Sequence, residues 1–459
     1  MSDPHAPEPE PAPEQLPPRP LRHFVSLSIY LVSNTLLWGA MLHTAMPKRL
    51  GDWFPEHQVG YYFGILGFVG GIVAAVAELV AGALSDRSLH PWGRRRPWVA
   101  AGSMLAVGAL LLLGAAKSYW QFAGALVLVQ LFTNAALGPF TALMPDTVNP
   151  REHGKASGYL GMARLIGDTG GIILATALLS TDHLQHADRQ TITAFLDRRM
   201  LLLCSLMAGL VFLAALYTMV AFRERPLRQR PEAGVGQIVR HSFHLDIKGN
   251  PDFFWLCVSR AITNFGFYIF LEYVLYFLEY AIGVPREAAV STQQKVMLPA
   301  IGAALLSSVP AGMISDRVGR RGLIFSAQFA MAVAALGFAL APSMGVVYVL
   351  AIPAGLAFGV FTAVEWGLAC NLLPKGELAR YLGVWNSTQI VPQILALPVG
   401  GAIGSALRGL APQIPGFGWR MDFALACVCC LIGAYFLRHV RDPRERVSPE
   451  AVGSAADSD

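Results

Sequence analysis

The chain has 459 residues, of which 54% are hydrophobic and only 14% are charged, and its mean hydropathy is +0.47. Soluble domains carry roughly 25% charged residues, so this composition excludes an ordinary soluble protein and indicates that lipid is the main solvent. The net charge of +5 comes from basic residues scattered between apolar segments, which predicts no nucleic-acid partner. The six cysteines show no metal-site spacing.

The first residues, 1–22, are rich in proline and glutamate and are predicted to form a disordered tail. They lack the basic, apolar and small-residue regions of a cleavable signal peptide. The last residues, 441–459, are also predicted to be a disordered tail.

Twelve apolar segments follow the N-terminal tail, each long enough to cross the hydrocarbon core of a bilayer as a helix, which takes about 20 residues. Helices are favoured over strands, because an open strand in lipid leaves its backbone groups unpaired. The sequence therefore predicts an all-α membrane protein embedded in the lipid bilayer. The predicted spans are 24–46, 58–84, 97–116, 119–145, 156–180, 199–222, 253–281, 294–315, 322–341, 345–373, 380–406 and 420–438.

Lysine and arginine are concentrated before span 1, after the even-numbered spans and at the C-terminus. Basic loops stay on the cytoplasmic side of a membrane. This distribution predicts a multi-pass protein of the cell (inner) membrane with both termini in the cytoplasm.

The longest segment between spans, 223–251, separates six spans from six and is predicted to be a cytoplasmic linker. Landmarks recur across it, which predicts two pseudo-symmetric six-helix bundles at 23–222 and 252–440. Proteins of this architecture open a central site alternately to the two sides of the membrane. The corresponding landmarks are Gly82, Asp86 and Arg87 with Gly312, Asp316 and Arg317; Leu143-Met144-Pro145 with Leu372-Leu373-Pro374; and Tyr159-Leu160-Gly161 with Tyr381-Leu382-Gly383.

Two charged motifs, GALSDRSLHPWGRRRPW at the end of span 2 and GMISDRVGRRG at span 8, share a Gly-x-x-Ser-Asp-Arg frame. The glycine lets a neighbouring helix approach closely, and the aspartate can accept hydrogen bonds from arginine and from helix N-terminal amides. Because such contacts can form and break, the motifs are predicted to be a cytoplasmic gate; an ordinary basic loop explains the arginines but not the repeated frame. The predicted gate residues are Glu78, Gly82, Asp86, Arg87, Gly93, Arg94, Arg95, Arg96, Gly312, Asp316, Arg317, Arg320 and Arg321.

The stretch GALSDRSLHPWGRRRPW resembles the loop 2–3 signature of the major facilitator superfamily, and its fuller form resembles the sucrose transporters and the glycoside–pentoside–hexuronide cation symporters. Trp38 with Pro47 is similar to the first helix of that branch. The segment GPFTALMPD, 138–146, is similar to its Gly-Pro-x-x-Ala-Leu-x-x-Asp pattern at the end of helix 4. The resemblance implies the major facilitator fold over about residues 22–440 and transport of a small solute.

The chain departs from the branch at two positions inside the membrane. Plant sucrose transporters carry an aspartate, the family's candidate for proton coupling, where this chain has Gln130, which cannot titrate. Where the family has asparagine on helix 5, this chain has Asp168. Asp168 is therefore the predicted proton carrier, and the absence of coupling is the alternative.

Ionisable residues within spans are costly and are candidate functional residues. Arg164 and Asp168 lie four residues apart on span 5 and share a helix face, so they form either a structural pair or a site for substrate hydroxyls. His43 on span 1 either packs through hydrogen bonds or carries a proton. Asn34 and Trp38 precede it on the same span, where they either contact the substrate or pack.

In the second half, Asn264, Tyr268 and Glu272 lie one turn apart on span 7 and form either a substrate-facing stripe or a packing face. Arg260, near the start of that span, is expected to extend its charged end to the membrane surface. Glu365 on span 10 is another deeply placed acid. The predicted substrate-binding and coupling residues are Asn34, Trp38, His43, Gln130, Asn134, Arg164, Asp168, Asn264, Tyr268, Glu272, Glu365, Asn386 and Gln389.

The sequence contains no phosphate-binding loop, His/Glu metal pattern or Gly-x-Ser-x-Gly motif, so no enzyme activity, cofactor or metal is predicted. The favoured function is import of a small-molecule substrate, a sugar or glycoside, coupled to a proton and carried out by a monomer. Two alternatives stay open. One is proton-antiport efflux of a hydrophobic compound or metabolite, and the other is a membrane assembly factor that no longer transports.

Overall fold

The computed structural model describes residues 20–143, 147–148, 153–184, 188–222, 224, 250–372 and 378–441. The predictions for residues 1–19 and 442–459, and for most of the linker, lie outside these ranges. The landmarks Met144, Pro145, Asp146, Leu373 and Pro374 also lie outside them. The side chains of Asp316, Arg317, Tyr381, Leu382, Gly383 and Asn386 are likewise not described, although their backbone lies in helices.

Twelve helices in the described part of the chain are long and apolar enough to cross a membrane, which confirms the predicted number of spans and the all-α class. Short 3₁₀ turns follow α5, at Asp182–Leu184, and α11, at Leu407–Gly409. The helices are α1 (Leu21–Trp53), α2 (Glu56–Ser85), α3 (Arg96–Ala115), α4 (Tyr119–Thr141), α5 (His153–Leu179), α6 (Arg189–Ala221), α7 (Pro251–Ile282), α8 (Arg286–Val318), α9 (Arg320–Leu340), α10 (Met344–Leu372), α11 (Leu378–Ala406) and α12 (Phe417–Leu437).

Three helices extend beyond the apolar segments that predict them. α1 continues through MPKRLGDW to Trp53, and α6 and α8 begin earlier than their predicted spans, at Arg189 and Arg286. These extensions carry charged residues, which a search for apolar segments excludes. Lys48 is nonetheless buried, because its Nζ donates to Thr181 Oγ1 at 3.3 Å and to the carbonyl of Arg286 at 3.1 Å.

Two helices change from α-helical to π-helical geometry in their C-terminal parts. In α1 the change covers Met41–Ala45, and in α7 it covers Phe277–Ile282. These are the first helices of the two predicted halves. π-Helical turns are rare and are frequent at functional sites. The stretch in α1 carries His43, one of the predicted coupling residues.

The described residues fall into two compact units. The first unit contains α1 up to Met41, α2 from Gly70, α3, α4, α5 up to Leu178, and α6 from Ala194. Its apolar core includes Phe24, Leu27, Tyr30, Val99, Phe140, Leu143, Ala163 and Phe222.

Glycines allow the helices of the first unit to cross closely. A Cβ atom on Gly39 of α1 would clash with the backbone of Asp168 on α5, and one on Gly138 of α4 would clash with the carbonyl of Glu78 on α2. Membrane helices pack at such small residues because their backbones can then approach. The crossings fix Asp168 against α1 and Glu78 against α4.

The second unit contains α1 from Leu42, α2 up to Val69, residues 179–193 and all helices from α7 onward. Within it, α7 packs on α11 and α12, α9 packs on α10 and α12, and α8 packs on α10. Its apolar core includes Phe253, Leu256, Ile324, Met331, Phe361, Leu368, Trp385 and Leu437.

The N-terminal part of α12 carries two polar side chains inside the second unit. Asp422 is fully buried, and neither of its carboxylate oxygens has a hydrogen-bond partner among the described residues. Arg420 donates to backbone carbonyl groups at the ends of neighbouring segments. The four carbonyls are those of Ala281, Ala339, Ala341 and Pro415, at 2.9, 3.0, 2.7 and 3.0 Å.

Candidate functional site

A buried ion pair joins α7 to α10 within the second unit. Arg260 Nη1 lies 2.6 Å from Glu365 Oε2, and the two side chains are 11% and 1% exposed. The expectation that Arg260 reaches the membrane surface is wrong, because its guanidinium turns inward to this carboxylate. Each buried charge needs the other, because an uncompensated charge inside the protein is strongly destabilising.

The ion pair continues into a polar network with α11. Arg260 Nη2 donates to Gln389 Oε1 at 3.2 Å, and Gln389 Nε2 donates to the hydroxyl of Tyr268 at 3.0 Å. The guanidinium carbon of Arg260 lies 4.0 Å from the centroid of the Trp385 ring, within the range of a cation–π interaction. We call Arg260, Glu365, Gln389, Tyr268 and Trp385 the arginine cluster.

The arginine cluster combines charged donors, neutral donors and acceptors, and an aromatic face. A guanidinium can bind two adjacent oxygen atoms of a ligand, and a carboxylate can accept from hydroxyl groups. Sequence reasoning identified Tyr268, Glu365 and Gln389 but missed Arg260 and Trp385. The signal for Arg260 was an arginine within span 7 together with an acid deep in span 10.

Asn264 lies beside the arginine cluster on the same side of α7 as Tyr268. Its Nδ2 donates to the carbonyl of Thr388 on α11 at 3.2 Å, and the residue is buried. Two of the three residues predicted to form a stripe on span 7 therefore face α11. The side chain of Asn386, also predicted to contact the substrate, lies outside the described residues.

Glu272, the third residue of that stripe, faces the π-helical stretch of α1. His43 Nδ1 lies 3.4 Å from Glu272 Oε2, and the side chains are 6% and 0% exposed. Gln293 on α8 donates from Nε2 to the backbone carbonyl of His43 at 3.1 Å. The second unit thus contains a second pair of titratable side chains held by three helices.

In the first unit, Arg164 on α5 lies close enough to Glu78 on α2 for their charges to attract each other. Sequence reasoning named Asp168 as the counter-ion of Arg164 and did not foresee this acid from another helix. Asp168 is half-buried where α5 crosses α1. The first unit therefore has an arginine and two carboxylates on neighbouring helices.

The neutral polar residues of the first unit are arranged around α4. Asn134 Nδ2 donates to the carbonyl of Gln130 at 2.8 Å and to its Oε1 at 3.1 Å, and Gln130 packs against Gly70 of α2. On α1, Asn34 is buried and Trp38 is half-buried. The amide of Gln130 is held by its own helix at the position of the branch's aspartate.

The first charged motif forms a compact structure at the junction of α2 and α3. Asp86 Oδ1 lies 3.1 Å from Arg95 Nη2. Glu224, just after α6, accepts with one carboxylate oxygen from the backbone N–H groups of Arg95 and Arg96, at 2.9 and 3.0 Å. The carboxylate thus satisfies amides that the start of a helix leaves unpaired. Gly93 has a φ of 109°, which favours glycine.

Each of the two charged motifs contains an equivalent hydrogen bond near the end of its preceding helix. Ser85 Oγ donates to the carbonyl of Gly82, and Ser315 Oγ donates to the carbonyl of Gly312, both at 2.7 Å. The repeated Gly-x-x-Ser frame therefore has the same local structure in both copies.

The arginines that begin the next helices also act alike. Arg96, the first residue of α3, donates to the carbonyl of Met219, and Arg320, the first residue of α9, donates to the carbonyl of Gly367. Each arginine thus ties a helix start to a different helix.

The other predicted gate residues lie around these contacts. Arg321 Nη2 donates to a carbonyl just past α12 at 3.0 Å. Arg87 and Arg94 are half-buried. The side chains of Asp316 and Arg317 lie outside the description, so the aspartate contact of the second motif stays a prediction.

Among the described residues, no group of three or more His, Cys, Asp or Glu side chains could hold a metal ion. The residues described above bring together ion pairs, hydrogen bonds and an aromatic face inside membrane-spanning helices.

Comparison with known proteins identifies the class. A relative from Methanocaldococcus jannaschii, named an uncharacterized MFS-type transporter, is 22% identical over 387 residues, which are 81% of this chain and 85% of the relative. A probable 4-methylmuconolactone transporter of Cupriavidus pinatubonensis is 33% identical over 117 residues, 26% of each protein.

Solved structures of low identity share the fold. A bacterial homologue of the human lysosomal transporter Spinster superposes with a TM-score of 0.67 at 17% identity, covering 93% of this chain and 98% of that one. The D-xylose–proton symporter gives 0.66 at 14% identity, covering 92% and 98%.

The twelve helices and the match of a transporter family model together show a multi-pass integral membrane transporter of the major facilitator class, which is not a class of enzymes. The sequence model of the family described as MFS/sugar transport protein matches residues 60–407. The chain belongs to this family. The resemblance to the major facilitator superfamily is thereby confirmed, and the sucrose-transporter branch stays a prediction.

Proposed function

We propose that this protein imports a small sugar or glycoside together with a proton, by alternating access. The observation that carries the proposal is the arginine cluster, in which Arg260 is bound to Glu365, bonded to Gln389 and stacked on Trp385. Intramembrane charges are costly and are typical of substrate and ion pathways. A family of sugar transport proteins supports the same function.

A sugar suits the arginine cluster in three ways. Adjacent hydroxyl groups match the two N–H groups of a guanidinium fork. Gln389 and Tyr268 supply neutral partners, which bind hydroxyl groups without adding charge. The Trp385 ring, on which Arg260 is stacked in this structure, would supply the apolar surface for the C–H side of a sugar ring when the guanidinium turns to the solute.

Alternating access is supported by the two copies of the charged motif. Repeats of this kind let one bundle rock against the other around a site near the midplane. The proposed bundles are 23–222 and 252–440, in a monomer whose termini both lie in the cytoplasm. The contacts of Asp86 and Glu224 with the start of α3 belong to the proposed gate on that side.

Proton flux into proteoliposomes tests the proposal. The purified protein is reconstituted, a panel of mono- and disaccharides is added in turn, and internal pH is followed with a trapped dye. We expect acidification with one or a few sugars, and its loss in Glu365→Gln and Arg260→Lys. Asp182→Asn, which changes an exposed acid between α5 and α6, is the control that keeps the flux. Absence of a response to every sugar by folded protein would refute sugar symport.

A second candidate substrate class is a small carboxylate. Arg260 is a permanent cation beside an acid, so protonation of Glu365 would leave a positive charge for an anionic solute. The relative named as a methylmuconolactone transporter supports the same class. Adding small aromatic and aliphatic carboxylates to the panel separates the two, since only carboxylate uptake should be competed by other anions.

A further inference from the structure

His43 and Glu272 form a pair of titratable side chains that the proposed solute site does not use. They come from different helices, are almost completely buried and lie 3.4 Å apart between Nδ1 and Oε2. The π-helical turn of α1 places the imidazole, and Gln293 of α8 holds its backbone carbonyl. The pair is therefore built by α1, α7 and α8 together.

The net charge of this pair depends on a single proton. A neutral imidazole beside a carboxylate carries one negative charge, which is costly in a region of low dielectric constant. Addition of one proton gives either an imidazolium with a carboxylate or an imidazole with a carboxylic acid, and both have no net charge. Because both forms hold the same single proton, that proton belongs to the pair and not to either residue alone.

The described hydrogen bonds around the pair come from neutral groups or lead away from it. α8 contributes the neutral amide of Gln293, which donates to the backbone carbonyl of His43. Lys48, which follows His43 on α1, donates to Thr181 Oγ1 and to the carbonyl of Arg286.

Glu365 differs from Glu272 in the charge of its partner. Its carboxylate lies 2.6 Å from a guanidinium, which is always protonated and stabilises the charged carboxylate. Glu272 lies beside a histidine, which carries no permanent charge. Protonation of Glu365 would leave the guanidinium of Arg260 as an uncompensated buried cation, whereas protonation of the histidine pair leaves no such charge.

We infer that His43 and Glu272 are the binding site of the coupling proton, separate from the arginine cluster that holds the solute. The inference rests on the proposed proton-coupled transport, and it assigns the proton to this pair instead of Asp168. Uptake adds one proton from water to the pair, and release returns it to water on the other side. No other bond changes.

A titration that needs no solute tests the site. Infrared difference spectra of the purified full-length protein, recorded as the pH is varied, report protonation of buried carboxyl and imidazole groups. We expect Glu272→Gln to lose one titrating carboxyl signal, and His43→Gln to lose an imidazole signal and change the pH at which the carboxyl titrates. Glu365→Gln, Asp168→Asn and Asp422→Asn are matched controls that keep this signal.

Loss of the signal in Glu365→Gln, Asp168→Asn or Asp422→Asn, with Glu272→Gln unchanged, would overturn the inference. If Glu272→Gln does not fold, His43→Gln decides the question. Its loss of an imidazole signal supports the inference and an unchanged imidazole signal overturns it, because histidine protonation is observed separately from carboxyl protonation. Each variant is compared only if its midpoint of thermal unfolding equals that of the unmodified protein.

Transport provides a second readout with whichever sugar gives proton flux. We expect Glu272→Gln to exchange labelled sugar across the membrane but to lose proton-driven accumulation, whereas Glu365→Gln loses both. Retained accumulation in Glu272→Gln would also overturn the inference. If no sugar responds, the proposed function fails, and the infrared titration still decides whether the pair binds a proton.

Discussion

Ser85 and Ser315 make the same hydrogen bond in the two halves of the chain, each hydroxyl donating over 2.7 Å to the carbonyl of the glycine three residues earlier. The equivalence extends to Arg96 and Arg320, which both begin a helix and donate to a carbonyl of another helix. These bonds give the serine and the arginine of the repeated frame the same structural role in both copies.

Replacement of the gate aspartate, Asp86→Asn, should slow transport several-fold while leaving solute binding largely intact. Its carboxylate pairs with Arg95 and is 40% exposed, so the pair contributes about 0.2–1 kcal/mol, enough to change a closing equilibrium but not the fold. Transport rate and solute affinity are measured on the same preparation, with Asp182→Asn as the control. An equal fall in binding and transport would argue against a gate.

Breaking the buried ion pair should destabilise the protein more than replacing it entirely. Arg260→Met leaves Glu365 as an uncompensated buried carboxylate and should cost about 3–5 kcal/mol, whereas the double variant Arg260→Met/Glu365→Met should regain most of this stability. Thermal unfolding in detergent measures both. Transport should be lost in both variants, and a double variant as unstable as the single one would contradict the prediction.

Gly39→Ala should destabilise the first unit, because the new Cβ atom would clash with the backbone of Asp168, which cannot move as a flexible side chain can. Forcing a methyl group into such a contact costs about 1–3 kcal/mol. Gly161→Ala, at an open position on α5, is the matched control and should be neutral or stabilising. Unfolding temperatures in detergent distinguish the two, and equal values would refute close packing at Gly39.

The start of α6 should loosen at acidic pH. The pKa of Asp188 lies below its ordinary value, because the hydroxyl and then the amide of Thr191 donate to its carboxylate, at 2.6 and 3.2 Å. A lowered pKa in the folded state means that this stabilisation is present above the ordinary carboxyl pKa of about 3.9 and is lost as the pH falls through the lowered value.

Hydrogen exchange at the first turn of α6, corrected for intrinsic rates, measures this loosening. Asp188→Asn caps the helix without titrating, so its exchange should lose the acid-dependent increase. An increase of equal size in Asp188→Asn would show that another group is responsible.

Hydropathy was sufficient to predict the twelve helices, because each must bury its backbone in lipid through apolar side chains. Hydropathy could not predict where α1 ends or where α8 begins. The turn with Lys48 is helical because Thr181 and the carbonyl of Arg286 solvate the ammonium group. Such partners are distant in sequence, so a local pattern of charges resembles a loop.

The candidate site could be predicted only in part, because its partners are also distant in sequence. Tyr268, Glu365 and Gln389 were named because polar residues are rare within spans. Arg260 was misjudged, since its position near a span end is equally typical of a side chain that reaches the membrane surface. Its partner, Glu365, lies 105 residues away, and only the packing of α7 on α10 brings them together.

The polar start of α12 has a consequence for how the chain enters the membrane during synthesis. A lone helix that carries Arg420 and Asp422 would be poorly inserted, since each charge costs about 2.5–3.5 kcal/mol at the centre of a helix, although less near its end. Arg420 finds its acceptors on residues that are synthesised earlier, at the ends of α7 and α9. The last helix should therefore leave the translocon directly onto its partners, so that assembly of the second half and insertion of α12 are one event.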